Sequence, residues 1–547
     1  MLRQSIGIVI GVIVVCLDVA HCRRLYEPSE EWNRQHGQPG VKLRLTKKGA
    51  NHVKTVGVKL LNEQIAQLHG INTTQKFTQS GIEGTVDLQN IRVVLYKPPE
   101  VTVINFRPPK SIIFGMENMD TTLEGRFVGT VGLIGVPGFV RGDLKQMTLA
   151  ITTDVEALPD GRMSVKLANC STLVGSSQFT IDAEGPLGPL IKTFESQINE
   201  RVREKIPEIL CKTFKTIIEE RGPQLFDRLL VAPLDGPFKQ SNKNAVFDTF
   251  LNKLTGGLII DNENLANPIV TNNYFETQQR GEVRYTNSRA RTPFFPKAMN
   301  TTDESERMLY IYGSDYLFNS MLYHAYQNDR LTMKLEKSSI PPEYSGFLRT
   351  TCTLDGASKS TNVFDKVCVG SLIPALNTAY PNSTTTFILL PHGLPDFRFK
   401  DGKGSLDVKT RILTYARDGR RRLRQVLVSA AEGQADVRLR AEKKKVAGDL
   451  KLNKLDMHVH RSALPDMNPS DIEQLAPLAK TILGPQLSKG LKEGVPFPIQ
   501  DTITFIDPVL TMHDGYVTLA TDFELGEPKL RQQLAEAFRG GIGNIGG

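Results

Sequence analysis

From Ile82 to Ala183 the chain changes periodicity, and that change limits its fold more than any other feature. Ile82, Gly84, Val86 and Leu88 alternate with polar partners. A period of two is what a half-buried strand requires, because successive side chains leave opposite faces. Similar runs lie at Val101–Phe106, Ile112–Met116, Thr121–Val128, Leu144–Val155, Met163–Leu167 and Phe179–Ala183. Pro98-Pro99, Pro108-Pro109 and Asp160-Gly161 separate them. Short strands with frequent turns predict a meander or barrel.

The flanking segments repeat at helical spacing instead. Ala50, Val53, Val56, Leu60, Leu61, Ile65 and Leu68 mark a helix over 47–69, which Gly70 ends. Leu190, Ile191, Phe194, Ile198, Val202, Ile206, Leu210, Phe214 and Ile218 mark a longer one over 187–230, with Lys192, Glu195, Arg201 and Glu204 opposite. Pro207 is expected to kink it and Gly222-Pro223 to interrupt it.

The second half follows the same order. Gly257–Ile260 and Gly281–Tyr285 read as strands, and the polar stretch 287–305, with Pro293 and Pro296, reads as a linker. Tyr316, Leu317, Met321 and Leu322 predict a helix over 314–327, and alternating strands run from Ser405 to His460. Ser470-Asp471-Ile472-Glu473 matches a capping box. It would open a helix with Ile472, Leu475, Leu478, Ile482, Leu483, Leu487 and Leu491 on one face, followed by a strand at Tyr516–Phe523. An α+β chain of two similar halves is expected. The 547 residues exceed one ordinary core, and two domains of about 200–250 residues are the natural division. The expected boundaries are 38–286 and 306–526, with 287–305 between them and 527–547 as a C-terminal tail.

Residues 1–22 read as a cleaved signal peptide: Arg3, an apolar run from Ile6 to Val19 broken only by Asp18, and a small residue, Ala20, before Cys22. No later stretch reaches about 18 apolar residues, so a soluble, secreted, extracellular protein is expected. Cys16 and Cys22 leave with the leader. Cys170, Cys211, Cys352 and Cys368 remain, and four cysteines allow three pairings. One pair falls in each half, which favours Cys170–Cys211 and Cys352–Cys368. Asn72, Asn169, Asn300 and Asn382 open glycosylation triplets.

Several chemistries find no support. The net charge of +8 favours anionic surfaces, but with aromatics at 7% there is no basic–aromatic interleaving for nucleic acid. Gly541-x-Gly543-x-x-Gly546 has no helix after it and is no dinucleotide fingerprint. His458 and His460 share a strand face without a third metal ligand nearby. No G-x-S-x-G elbow occurs, which argues against a lipase. No catalytic residue, metal or cofactor is expected. Two long amphipathic helices against a curved sheet offer more apolar surface than one sheet face needs. The seam between them suits acyl chains, each buried CH₂ contributing roughly 0.8 kcal/mol.

Other residues carry a family likeness. Pro39-Gly40-Val41-Lys42-Leu43-Arg44-Leu45-Thr46-Lys47-Lys48-Gly49, Ser314-Asp315-Tyr316-Leu317-Phe318-Asn319, Ile340-Pro341-Pro342, Ala447-Gly448-Asp449-Leu450-Lys451-Leu452 and Gly494-Val495-Pro496-Phe497-Pro498 follow one another in this order along the chain. With Cys170 and Cys211 they resemble the family of bactericidal/permeability-increasing protein, lipopolysaccharide-binding protein, and the phospholipid and cholesteryl ester transfer proteins. The likeness covers about residues 39–525. It implies a boomerang of two pseudo-symmetric domains, each a twisted antiparallel β-barrel with two amphipathic helices, joined by a central β-sheet. It also implies a phospholipid in an apolar pocket of each half, and no catalysis. Carried over by position, Leu60, Leu61, Ile65, Leu190, Phe194 and Ile198 would line the first pocket, and Leu317, Leu322, Leu475, Leu478 and Ile482 the second.

The likeness has departures. Endotoxin-binding members carry a lysine cluster on a hairpin near the first domain's tip, whereas Gly129–Gly138 here reads GTVGLIGVPG. Basic residues stand instead at Arg417-Asp418-Gly419-Arg420-Arg421-Arg422 and Lys443-Lys444-Lys445, read as successive turns at opposite sheet ends. Arg420, Arg421 and Arg422 are the candidate anion patch for lipid head groups. Leu530, Leu534, Ala537 and Phe538 recur at helical spacing in the tail. It is read as a frayed end, with the cap of a pocket mouth as the alternative that the likeness implies. The partners expected are a phospholipid or glycolipid and, transiently, a membrane or lipid-particle surface, with the protein a monomer. Recognition of bacterial lipopolysaccharide is the rival reading.

Overall fold

The computed structural model describes residues 37–543, apart from 80–81, 132–133, 186–198, 201–206, 209, 213, 224–226, 228–229, 235–249, 251, 289, 341, 353–366, 421, 443–444 and 497–502. The proposed leader therefore lies outside the described residues, as do Leu190, Phe194, Ile198 and Arg421. Antiparallel sheet dominates. The first sheet takes Ile71–Gln79, Ile82–Lys97, Ser111–Val131, Ile134–Ala157 and Met163–Ala183 in chain order, with Val101–Arg107 paired onto Ser111–Val131. The second sheet is built likewise from Met333–Leu335, Thr385–Pro391, Lys403–Arg417, Leu423–Glu442, Lys445–Ser462 and Val495–Pro496, with Asp396–Lys400 paired onto Lys403–Arg417.

The strands are longer than the alternation predicts. Ile112–Met116 and Thr121–Val128 belong to one strand, Ser111–Val131. Its register slips between Met116 and Thr121, and Asn118 takes a φ of 61°. An extra residue at a bulge reverses which parity faces inward, so one bent strand reads as two. Met163–Leu167 and Phe179–Ala183 also fuse, across a small, polar middle that carries no alternation but stays paired.

A third sheet joins the ends of the chain. Its order is Ile269–Val270, Tyr274–Gln279, Val41–Thr46, Leu309–Ser314, Tyr516–Leu525, Ile503–His513. Arg44 is buried in it against Glu276 at 2.7 Å, its guanidinium 4.1 Å from the Tyr274 ring centre. Beside it, Val231–Pro233, Leu258–Asp261 and Glu282–Tyr285 form a small sheet. Among its described residues the stretch 287–305 has no helix or strand, but Arg291, Thr292 and Met299 within it are buried.

Four helices position the site: α1 (Lys47–Ala66), α2 (Tyr316–Gln327), α3 (Leu475–Glu493) and α4 (Glu527–Gly543). The Thr46 hydroxyl caps α1 by accepting from the Gly49 amide at 3.3 Å. A Cβ on Gly49 would stand 2.4 Å from the Met308 carbonyl oxygen, so only glycine lets that first turn approach the strand Leu309–Ser314. The capping box at Ser470 does not form. Pro469 occupies the cap, Ser470–Glu473 is a separate short helix, and the Asn468 carboxamide accepts from the Ser470 amide. The middle helix, described in part between Asn199 and Leu230, continues helical through Gly222 and Pro223. Proline removes a donor and crowds the carbonyl four residues back. A wider π-helical turn over Ile217–Arg221 precedes it in place of the expected break.

Candidate functional site

One apolar cluster collects the inner face of the first sheet and three helices. Met116, Met119, Leu144, Met147, Leu149, Ile151, Val174 and Phe179 are buried on the sheet, with Leu61 of α1 against them. Val58 and Ile65 of α1, Leu210, Phe214 and Ile218 of the middle helix, and Leu534 of α4 pack onto the same cluster but stay half-buried. Each keeps part of its surface accessible while it packs on the cluster. They line the junction between the three helices and the sheet. The disulfide Cys170–Cys211 ties the strand Met163–Ala183 to the middle helix beside it, with Cα atoms 5.8 Å apart.

The tail is not frayed over its described residues. It forms α4, which crosses α1 and reaches the middle helix. Lys59 of α1 donates to Glu527 at 2.8 Å, and the Arg531 guanidinium donates to Glu63 at 2.8 and 3.3 Å. The hydrogen bond from Arg531 holds the Glu63 carboxyl below its usual range. Leu534 projects between these contacts into the cluster. The side chains of Ala537 and Phe538 lie outside the described residues.

Of the first set of predicted lining residues, Leu61 and Ile65 meet in this cluster. Leu60 is buried at 2% exposure but is not part of it. The second set does not come together. Leu317 packs on Leu258, Val283 and Tyr285; Leu322 packs on Phe397, Phe399, Val437 and Met512; Leu475 is buried with Val369, Ile373 and Leu427. Leu478 is half-buried on α3, and the Ile482 side chain lies outside the described residues. Around Leu322 a second apolar cluster gathers, where Phe318 of α2 and Leu491 of α3 join half-buried Leu406, Leu439, Leu450 and Leu510. Phe318 was open to prediction from its helical spacing. Phe397 and Phe399 carried a signal too, two aromatics at strand spacing.

The arginine turn stands at the end of the second sheet. Arg420, Arg422 and Arg424 are exposed around one carboxylate, Asp418. Asp418 accepts from the backbone amides of Arg420 and Arg422, each at 2.9 Å, and its pKa falls chiefly through the Arg422 amide. Leu423 is 47% exposed among these cations. Lys445 pairs with Glu442 at the opposite end of the same strands, so the two basic turns are separate. Cys352 is bonded to Cys368. Asn72, Asn169, Asn300 and Asn382 are all exposed. His458 and His460 are exposed, and no group of three metal-ligating side chains occurs among the described residues. Among the described residues no helix is long and apolar enough to cross a membrane.

Comparison with known proteins adds kinship. The model of the "LBP / BPI / CETP family, C-terminal domain" matches residues 253–525. A bactericidal permeability-increasing protein from Sebastes schlegelii is 21% identical over 490 residues, covering 89% of this chain and 95% of that one. A lipopolysaccharide-binding protein from Bos taurus is 21% identical, covering 88% and 93%. A phospholipid transfer protein from Mus musculus is 21% identical, covering 89% and 91%. A crystal structure of lipopolysaccharide binding protein aligns with a TM-score of 0.48 at 17% identity, covering 89% of this chain and 99% of that one.

Proposed function

The chain belongs to the LBP / BPI / CETP family, and from that premise we propose that it is a secreted carrier that holds phospholipid acyl chains in apolar seams. The observation that carries this is the half-buried inward face of Val58, Ile65, Leu210, Phe214, Ile218 and Leu534. Water-exposed lipid chains would gain roughly 0.8 kcal/mol per CH₂ on entering such a space. No bond is made or broken. The two disulfides suit an oxidising extracellular compartment. In this reading residues 38–286 and 306–526 are the two lipid-binding halves of a boomerang, and α4 closes the first seam. The arginine turn makes transient contact with an anionic membrane or particle surface.

The test is lipid retention. The chain is incubated with phosphatidylcholine vesicles and re-purified, and its lipid is extracted and identified by mass. Intact phospholipid bound to the wild type and lost from Phe214→Asp supports the reading. Hydrolysed lipid, or equal lipid in both proteins, contradicts it.

A second reading, recognition of lipopolysaccharide in host defence, is favoured by the exposed arginines around Asp418. The absence of any basic residue from Gly129 to Gly138 counts against it. Preference for lipid A over phosphatidylcholine vesicles, collapsing when Arg420, Arg422 and Arg424 become serine, would favour defence.

A further inference from the structure

The outer face of the first sheet, opposite the seam, carries a feature that packing does not explain. Register sets two short rows of cross-strand neighbours there. Arg92, Glu124 and Arg141 form one, and Arg126, Phe139 and Asp182 the other. The alternate residues Phe127, Val140 and Ile181 point inward to the core, as the pleat requires. The two rows line a depression of ≈ 910 Å³.

Phe139 is 52% exposed in it. Its direct cross-strand neighbour is Arg126, and a cation over an aromatic face is drawn to it. The Arg126 guanidinium stands 5.9 Å from the Phe139 ring centre. Among the described residues no carboxylate lies within 4 Å of it. Arg92 and Arg141 converge on a single carboxylate, Glu124, at 3.6 and 3.1 Å. Three guanidiniums thus face two carboxylates, one cation unpaired and two sharing a partner.

From this arrangement we propose that the depression binds a phosphate ester group. A guanidinium presents a planar fork of donors that matches a tetrahedral oxyanion in two parallel bonds. Arg126 is free to donate such a pair, and Arg141 can turn to it from its shared carboxylate. The exposed phenyl ring covers the carbon side of the ester. The site lies on the other face of the sheet from the acyl seam and in the other half of the chain from the arginine turn. It goes beyond the carrier reading and does not depend on it.

The test uses the full-length chain in two arms. One measures binding of soluble glycerol 3-phosphate by calorimetry. The other measures co-sedimentation with phosphatidylcholine vesicles with and without phosphatidic acid. Arg126→Gln is expected to weaken binding in the responsive arm by about tenfold, the worth of one charge-assisted hydrogen bond. Melting temperature and extracted acyl-lipid content are expected to stay at wild-type values, which separates this site from the seam. Arg126-dependent binding in both arms assigns a general phosphate site. Dependence only on phosphatidic acid vesicles assigns a lipid head group as the source. Wild-type binding by both Arg126→Gln and Arg141→Gln in both arms, or no binding by the wild type in either, overturns the proposal.

Discussion

Asp261 is fully buried and receives three guanidiniums, from Arg280, Arg284 and Arg291. Burial alone would push its carboxyl up; the charges of Arg291, Arg280 and Arg284 outweigh that and hold it below the usual range. Glu282, bonded to His324 at 2.8 Å and to Arg291, extends the network. Removing one member strands the others in a dry site, so Asp261→Ala should cost about 3–5 kcal/mol. Urea unfolding checks this, and a loss under about 1 kcal/mol would show that water reaches the cluster. Asp315, where α2 begins, behaves oppositely. Burial pushes its carboxyl from 3.8 up to about 6. Between those values the folded chain holds a proton that the unfolded chain releases. Its contribution to stability is therefore full below pH 3.8 and lost as pH rises through about 6. Asp315→Asn should remove that downward slope and be more stable than wild type at pH 7. Melting curves at pH 4 to 7 that run parallel for both proteins would contradict it. Neither residue was legible beforehand as anything but a charge, because both roles depend on neighbours that only the fold supplies.

The helix α4 shows where legibility ends at the scale of elements. Leu530 and Leu534 recur at helical spacing, so the helix itself could be read. Its seat could not, since Lys59 and Glu63 are 468 residues from Glu527 and Arg531. The exposed ion pairs contribute little to stability, and half-buried Leu534 adds less than the roughly 1.5–3 kcal/mol of a fully buried leucine. Leu534→Asp with Arg531→Glu should therefore unseat the helix and speed lipid release by about tenfold. Stopped-flow transfer of a fluorescent phospholipid measures that rate, and an unchanged rate would mean α4 does not guard the seam. The long strands of the first sheet were half legible for a related reason. Alternation finds a strand, but the bulge at Asn118 flips the inward parity and hides that two runs are one.

Over the whole molecule, the third sheet sets Val41–Thr46 beside Leu309–Ser314, which pairs in turn with Tyr516–Leu525, so segments far apart in sequence share one support. Helix-and-sheet order was visible twice in the chain, because periodicity is local. The lining of the second half was not. Leu317, Leu322 and Leu475 lie on matching helical stripes yet go to three different clusters, since a stripe shows that a face is buried but not against what. The central claim is that hydrocarbon occupies the first seam. It is tested most directly by loading the protein with phosphatidylcholine bearing a photoreactive diazirine near the end of one acyl chain, irradiating, and mapping the adducts by peptide mass spectrometry. Adducts on Val58, Ile65, Phe214, Ile218 or Leu534 are predicted. Lipid that binds but labels only exposed positions such as Leu173 or Leu423 would contradict the account.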